Sequence, residues 1–335
     1  MSRILTSPAT PDAGPDLVTA APLIGHSLHA DSPDPTELSF VTTGDGTRIA
    51  YRIDGSNDKP VLVFSNSIAT TLRMWDLQIP ELSQHFRVVR YDTRGHGASS
   101  VPVGAYSIDR LGRDVIELLD ALRIERAHFL GLSLGGFVGQ WLGIHAPERI
   151  DRLILSNTAS YLGPAHQWDQ TIASLAQAQD MTETAEMFLR NWFPARMLEA
   201  DQQVVQRFRS MVLATDPRGL AGAFAVVRDT DMRRTIALIP RPTLVIAGEH
   251  DTVTAASYGQ AIAATILRRQ EHNGRRHFIR CPWPLHGSAR LAPAASRPGR
   301  CISVAIGPEE TTRSRGTDPA LSAAIRPTVT HAVAC

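Results

Sequence analysis

The segment Gly131-Leu132-Ser133-Leu134-Gly135-Gly136 constrains the fold of this chain more than any other part of the sequence. An apolar run, Ala127-His128-Phe129-Leu130, precedes it, and a segment with helical spacing, 137–145, follows it. This order predicts a strand, a sharp turn and a helix, because the glycines on either side of the serine let the backbone fold back tightly. Such a turn exposes a serine hydroxyl at a helix N-terminus. Ser133 is therefore the candidate nucleophile; the alternative is a serine that only caps the helix.

Composition and charge exclude several classes of function. With 335 residues, of which 43% are hydrophobic, the chain can bury one large core. Its net charge of +1 gives no concentrated basic surface, so we expect no nucleic-acid partner. No apolar run reaches the ~18 residues of a membrane span, and no signal-peptide pattern is present, so we expect a cytoplasmic protein without a membrane partner. The spacing of Cys281, Cys301 and Cys335 matches no metal site.

Alternating strands and helices predict an α/β fold. Residues 1–36 lack apolar periodicity, so we expect a disordered extension there. Two short alternating runs, 38–41 and 48–51, flank the turn Gly44-Asp45-Gly46 and predict a β-hairpin. The fully apolar run Val61-Leu62-Val63-Phe64 predicts a central strand that is covered on both faces. Further alternation along the chain predicts a mostly parallel sheet with helices on both faces.

Two loops that follow predicted buried strands carry polar residues. The loop 65–71 is expected to supply one backbone N–H to an oxyanion hole, from Ser67 or Ile68, while Leu134 supplies the other. The alternative is a loop with no catalytic part, held by local side-chain hydrogen bonds. The loop after 87–91 contains His96. We expect a buried structural histidine there, because the base follows the serine in chain order in proteins with this kind of turn.

Residues 163–235 show helical spacing without buried strands, which predicts a helical cap over the carboxyl edge of the sheet. The predicted helices are Ile172–Ala178, Thr182–Phe193, Asp201–Thr215 and Gly219–Val227. The aromatic residues of this segment either contact a substrate or form the core of the cap: Trp168, Trp192, Phe193, Phe208 and Phe224. Four arginines are available for a substrate carboxylate: Arg196, Arg207, Arg209 and Arg228.

A carboxylate follows the last buried strand that the sequence predicts. The run 242–247 is apolar and ends at Gly248-Glu249-His250-Asp251. An acid at a strand end, downstream of the serine, fits a triad in the order serine, acid, histidine. Asp251 would orient the histidine and stabilise its charged form. Glu249 is the alternative acid.

Several motifs together resemble the 3-oxoadipate enol-lactonases of the α/β-hydrolase superfamily, over residues 37–266. They are Ser65-Asn66-Ser67, Met74-Trp75-Asp76, Arg90-Tyr91-Asp92-Thr93-Arg94-Gly95-His96-Gly97-Ala98-Ser99, Gly131-Leu132-Ser133-Leu134-Gly135-Gly136, Ala146-Pro147-Glu148-Arg149-Ile150 and Asn157-Thr158-Ala159. The resemblance implies an α/β-hydrolase domain at 37–267, and hydrolysis of a small lactone to 3-oxoadipate in aromatic degradation without cofactor or metal. Asn66, Trp192 and Arg228 are the substrate-binding candidates. The rival functions are a carboxylesterase, a cofactor-free haloperoxidase-like perhydrolase and a non-catalytic hydrolase-fold protein.

The chain departs from this family in residues 268–335. The segment is rich in arginine, proline and alanine, and neither helical nor alternating periodicity is present, as in GC-rich sequence read in a shifted frame. We expect it to be largely disordered and the sheet to lack its last strand. His277 lies 26 residues after Asp251, close to the family's spacing, and is the candidate base. His286 and His272 are the alternatives, and each of the three is otherwise a solvated histidine.

A shifted reading frame is directly testable in the gene. Sequencing of the coding DNA through codons 260–335 should reveal a single-base insertion or deletion relative to the genes of related proteins. Restoring the other frame should raise both solubility and activity, because it would supply a regular final strand and helix. An uninterrupted frame, together with full activity of the chain as it stands, would contradict the prediction.

Overall fold

The computed structural model describes residues 38–200, 202–270 and 278–281. These residues form an eight-stranded sheet in the order β1-β2-β4-β3-β5-β6-β7-β8. The first two pairs, β1 with β2 and β2 with β4, are antiparallel, and all the others are parallel. The predicted mostly parallel α/β sheet is confirmed. The strands are β1 Ser39–Thr42, β2 Arg48–Asp54, β3 Val61–Ser65, β4 Arg87–Tyr91, β5 Ala127–Leu132, β6 Ile150–Ser156, β7 Thr243–Gly248 and β8 Phe278–Cys281.

Helices cover the sheet and form the inserted segment. Those beside the sheet are α1 Ile79–Leu82, α2 Ile108–Ala121, α3 Leu134–His145 and α9 Ala256–Gln270. Those of the inserted segment are α4 Asp169–Gln177, α5 Thr182–Trp192, α6 Ala195–Glu199, α7 Gln203–Leu213 and α8 Pro217–Asp229. The segment predicted to be helical without buried strands is therefore helical in the structure.

The central strands of the sheet hold α3 and the turn that contains Ser133. β3 lies between β4 and β5, and all its residues after Val61 are buried, as its apolar run predicts. α3 contacts the strands β3, β5 and β6 and the helix α2. Residues 134–143 of α3 are consequently all buried, which matches a helix that is apolar on every face. The start of α3 is thus fixed against three strand ends.

The predicted hairpin is also confirmed. β1 and β2 pair antiparallel, with Ser39 opposite Tyr51 and Thr42 opposite Arg48. The turn between them closes with a hydrogen bond from the Thr43 N–H to the Thr47 carbonyl (2.8 Å). Gly46 takes a φ of 83° in this turn, a conformation that glycine adopts without steric cost.

The expectation that the sheet lacks a strand after β7 is wrong. Phe278–Cys281 pairs in parallel with residues 245–248 of β7, and α9 continues to Gln270, beyond the predicted change at 268. A four-residue strand is too short for its periodicity to be recognised in the sequence. The predicted extension 1–36 lies outside the described residues, as do 271–277 and 282–335 of the predicted tail. The domain boundaries stay predictions.

No helix in the described part of the chain combines the length and the apolar character that a bilayer span requires.

Candidate active site

Ser133 lies between β5 and α3 in a strained backbone conformation. Its φ of 55° and ψ of −113° are rare for a residue with a side chain and cost on the order of 1–3 kcal/mol. Two hydrogen bonds hold it there: the Ser133 N–H donates to the Ser156 carbonyl (3.0 Å), and the Thr158 hydroxyl donates to the Ser133 carbonyl (2.8 Å). The Ser133 hydroxyl makes no capping bond to α3, so the reading of this serine as a simple helix cap is wrong.

The backbone around Ser133 leaves no room for a side chain at two of its neighbouring glycines. A Cβ at Gly131 would lie 2.1 Å from the Gly135 carbonyl oxygen, and one at Gly135 would lie 2.3 Å from the Ser65 carbonyl oxygen. Neither glycine has a positive φ; in this turn Ser133 does. The two glycines therefore let the end of β5, the end of β3 and the start of α3 approach each other closely, and the strained angle belongs to the serine.

Near Ser133, three backbone N–H groups have no hydrogen-bond acceptor among the described residues. Within the described ranges, the Leu134 N–H, at the start of α3, has no hydrogen-bond acceptor. The next N–H, of Gly135, donates to the Asn66 carbonyl (2.9 Å), which places the loop after β3 against the first turn of α3. Ser67 and Ile68 follow in that loop and are buried. Their N–H groups also lack acceptors among the described residues, so the geometry is compatible with either as the second donor.

Asn66 holds this loop in place. Its amide Nδ2 donates to the Tyr91 carbonyl (2.8 Å), and its Oδ1 accepts from Trp75 Nε1 (2.8 Å). The residue is 1% exposed. Both ends of the amide are therefore bound to protein, and we replace the prediction that Asn66 contacts substrate with a structural role.

His96 is buried, as predicted, and each ring nitrogen has a partner. Nε2 accepts from the Ala69 N–H (3.0 Å), and Nδ1 lies 3.1 Å from the Arg94 carbonyl oxygen. Because an N–H can only donate and a carbonyl can only accept, the proton sits on Nδ1. Burial lowers the pKa of His96 to about 4. The imidazole is thus neutral at ordinary pH, and both its ring nitrogens are bound to backbone groups, which favours a structural histidine over a base.

Asp251 follows β7 and accepts four hydrogen bonds. Oδ1 accepts from the N–H groups of Val253 (2.9 Å) and Thr254 (2.7 Å). Oδ2 accepts from the Thr254 hydroxyl (2.7 Å) and from Asn157 Nδ2 (2.5 Å). The orientation of the carboxylate is therefore fixed at the edge of the sheet where Ser133 lies. Glu249, the alternative acid, is exposed.

Asn157 is a site residue that reasoning from the residue pattern did not identify. It comes directly after β6, has a φ of 40°, and its N–H donates to the Ile246 carbonyl (2.9 Å). Its neighbour Ser156 accepts from the Ser133 N–H, so residues 156–157 connect the serine with Asp251. The signal in the sequence is a polar residue immediately after a buried strand, the same signal that identified Asp251.

The predicted base lies outside the described residues. This applies to His277 and to its alternatives His286 and His272. The structure thus brings Ser133 and Asp251 to one edge of the sheet, while the choice of the histidine stays a prediction.

The cap residues predicted to bind substrate have other partners. Trp192 is buried against Phe188 (ring centroids 4.7 Å apart) and Phe208 (5.9 Å). Arg228 binds both oxygens of Asp229 (2.7 and 3.0 Å) and lies 3.2 Å from Asp169. The hydrogen bonds to these carboxylates raise the pKa of Arg228, and their negative charges offset the positive charge of the guanidinium. Trp192 therefore packs in the core of the cap, and the structure argues against Arg228 as the ligand of a substrate carboxylate.

A cavity of about 440 Å³ opens beside the Asp251 loop. It is lined by Leu162, Gly163, Gln167, Trp168, Val253 and Tyr258. The first four residues enter the cap after β6, and the last two follow Asp251. Within the described ranges, no group of three or more histidine, cysteine or acidic side chains is arranged to hold a metal ion.

Comparisons with known proteins identify the fold family and several similar enzymes. A family model of the alpha/beta hydrolase fold matches residues 60–275. The chain is 41% identical to 3-oxoadipate enol-lactonase 2 of Acinetobacter baylyi over 67% of this chain and 84% of that protein. It is similar to the crystal structure of a hydrolase from Pseudomonas aeruginosa (60% identity, 74% of this chain, 91% of that chain, TM-score 0.70). It is also similar to that of an enol-lactonase from Burkholderia xenovorans (36% identity, 73% and 91% coverage, TM-score 0.68).

The buried neutral His96 predicts a specific pH dependence of stability. Its folded-state pKa of about 4 lies below the usual 6.5, so between these values the unfolded chain binds more protons. The contribution of His96 to the free energy of unfolding is complete well above pH 6.5 and falls as the pH drops through 6.5 toward 4. Because His96→Gln removes this titration, urea unfolding should show wild type losing about 1–2 kcal/mol more than the variant between pH 6.5 and 5. Parallel stability profiles would show that His96 is not held neutral.

Proposed function

The chain belongs to the alpha/beta hydrolase fold family, and we propose that it is a serine hydrolase that opens a small enol-lactone carrying a carboxylate, as in 3-oxoadipate enol-lactone. The observation that carries the proposal is the backbone of Ser133, strained between β5 and α3, beside a Leu134 N–H that has no acceptor among the described residues. The similarity to the enol-lactonases supports the substrate class. The relatives of this chain are hydrolases that act on small molecules.

In the first step, Ser133 Oγ attacks the lactone carbonyl while a histidine takes the hydroxyl proton. Negative charge develops on the carbonyl oxygen. In the proposed mechanism, the Leu134 N–H and one N–H of the loop after β3, from Ser67 or Ile68, donate to it, and the N-terminus of α3 adds its positive dipole end. Both donors belong to buried backbone, so they are oriented before the substrate arrives.

Collapse of the tetrahedral intermediate breaks the ring C–O bond and leaves an acyl-enzyme on Ser133. The leaving oxygen is that of an enol, which receives a proton and converts to the ketone. A water molecule, deprotonated by the same histidine, then attacks the acyl-enzyme and regenerates the serine. No redox step occurs in this sequence, and the reaction needs no cofactor.

Asp251 orients the histidine and stabilises its charged form. Four hydrogen bonds fix its carboxylate, one of them from Asn157. The candidate bases are His277, His286 and His272. Because β8 runs parallel to β7, the chain reaches the edge of the sheet that carries Asp251 after β8. We therefore propose His286, which follows β8 in the chain, ahead of His277, which precedes it. The cavity beside the Asp251 loop, bordered by Trp168 and Val253, is the proposed entry for the lactone. The cytoplasmic location expected from the sequence stays a prediction.

Labelling by a fluorophosphonate probe tests the nucleophile. The probe should label the wild-type protein, and Ser133→Ala should abolish labelling, because the probe reacts only with an activated, accessible Oγ. Ser160→Ala is the matched control, since Ser160 is a nearby buried serine whose hydroxyl donates to Gln140 Oε1 (2.6 Å). The Ser160→Ala variant should be labelled like wild type. Equal labelling of wild type and Ser133→Ala would refute the assignment, and no labelling of either would favour a non-catalytic protein.

A pair of substrates that differ only in charge tests the substrate class. We expect kcat/KM for the carboxylate-bearing enol-lactone to exceed that for its methyl ester by about tenfold or more. The reason is that a charge-assisted hydrogen bond from a cap arginine to the substrate carboxylate would stabilise the transition state. Steady-state kinetics with both compounds, and with p-nitrophenyl acetate as a neutral ester, supply the measurement. A preference for the neutral compounds would indicate a carboxylesterase, and halide-dependent peracid formation a perhydrolase.

A further inference from the structure

We propose that His96 is a positioning residue for the oxyanion hole, acting through its hydrogen bond to the Ala69 N–H. The inference deepens the proposed function and rests on it. His96 belongs to the loop after β4, whereas the predicted donors Ser67 and Ile68 belong to the loop after β3. The His96 imidazole joins the loop after β4 to the loop after β3, at Ala69, the residue immediately after Ile68.

The position of Ala69 determines how the preceding donor is oriented. Ala69 has a φ of 59°, which is unusual for a residue with a Cβ, and it is fully buried. Its N–H belongs to the peptide unit that begins at the Ile68 carbonyl, so fixing this N–H fixes the plane next to the Ile68 N–H. The Thr70 hydroxyl donates to the Ser67 carbonyl (2.7 Å), which shares a peptide plane with the Ile68 N–H. Thr70 therefore holds the Ser67–Ile68 peptide, and His96 holds the next peptide, Ile68–Ala69.

His96 is itself held rigidly enough to serve this role. Its Nδ1 donates to the Arg94 carbonyl, and it lies between Gly95 and Gly97, whose φ angles are 78° and 53°. A Cβ at Gly97 would lie 2.2 Å from an Asp92 carboxylate oxygen, so the turn packs tightly on that side chain. Asp92 also accepts from the Leu72 N–H (2.7 Å). The loop after β4 thus accepts two N–H groups of the loop after β3, one at each end of the stretch 69–72.

Loss of the His96 acceptor should therefore affect the transition state more than substrate binding. The Ala69 N–H would be left buried without a partner, and the loop would relieve that by rotating the peptide. A rotated peptide misplaces the adjacent donor. Because the oxyanion exists only during reaction, a misplaced donor lowers kcat and leaves KM nearly unchanged.

Two substitutions of His96 separate this role from a general contribution to folding. His96→Leu removes the acceptor, whereas His96→Gln places an amide oxygen near the position of Nε2 and preserves it. We expect the rate constant of phosphonylation of Ser133, per folded molecule, to fall about tenfold or more in His96→Leu and less than threefold in His96→Gln. With the lactone, the loss should appear in kcat. His128→Gln is the matched control: His128 is partly buried at the opposite end of β5, and it should react like wild type.

A second measurement does not depend on catalysis. In the full-length protein, amide hydrogen exchange followed by NMR should show a protected Ala69 N–H, and long-range proton–nitrogen spectra should show the His96 proton on Nδ1. Protection of Ala69 should be lost in His96→Leu and retained in His96→Gln. These spectra test the contact even if Ser133 is not labelled in wild type, an outcome that would overturn the proposed function. Wild-type reactivity of His96→Leu, or unchanged exchange at Ala69, would overturn the role of His96.

Discussion

The close contact between the start of α3 and the end of β3 is the constraint on which the site depends. A glycine at position 135 lets the backbone of α3 lie against the Ser65 carbonyl, and its N–H then reaches the Asn66 carbonyl. That approach forces the chain to reverse within one residue, so Ser133 takes the strained angles. Strain of this kind persists only where the surroundings determine the conformation, and here three strand ends do so.

The two strands beside β5 contribute different parts of the site. β3 continues into the loop that holds the predicted oxyanion donors, and this loop is fixed to the β4 side by Asn66 and His96. β6 continues into Ser156 and Asn157, which bind the Ser133 N–H and the Asp251 carboxylate. The proposed nucleophile Ser133 therefore lies between the loop with the proposed oxyanion donors and the residues that fix the Asp251 carboxylate, and α3 packs against the strands that carry both.

Some of this arrangement follows from residue patterns and some does not. Periodicity and glycine spacing predict the hairpin, the central strand β3, the turn at Ser133 and the helical inserted segment, because each is determined by local sequence. β8 was missed because four residues carry too little periodicity. The partners of Asn66 and Arg228 were missed for another reason. Hydrogen bonds such as Asn66 to Tyr91, or the ion pair of Arg228 with Asp169, join residues distant in the chain, and only the folded structure brings them together.

The described part of the site separates stabilisation of the oxyanion from proton transfer. The donors at Leu134 and in the loop after β3, as well as the orientation of Asp251, are built by β3, β5, β6 and β7 with their following loops, all before residue 268. The predicted base alone comes from the segment that departs from the family. In enzymes with a serine triad, oxyanion stabilisation and binding retain roughly 10³–10⁴-fold catalysis over water when a triad member is removed. If the predicted roles hold, an altered C-terminal segment would affect proton transfer, while the proposed oxyanion donors belong to the part of the chain that resembles the enol-lactonases.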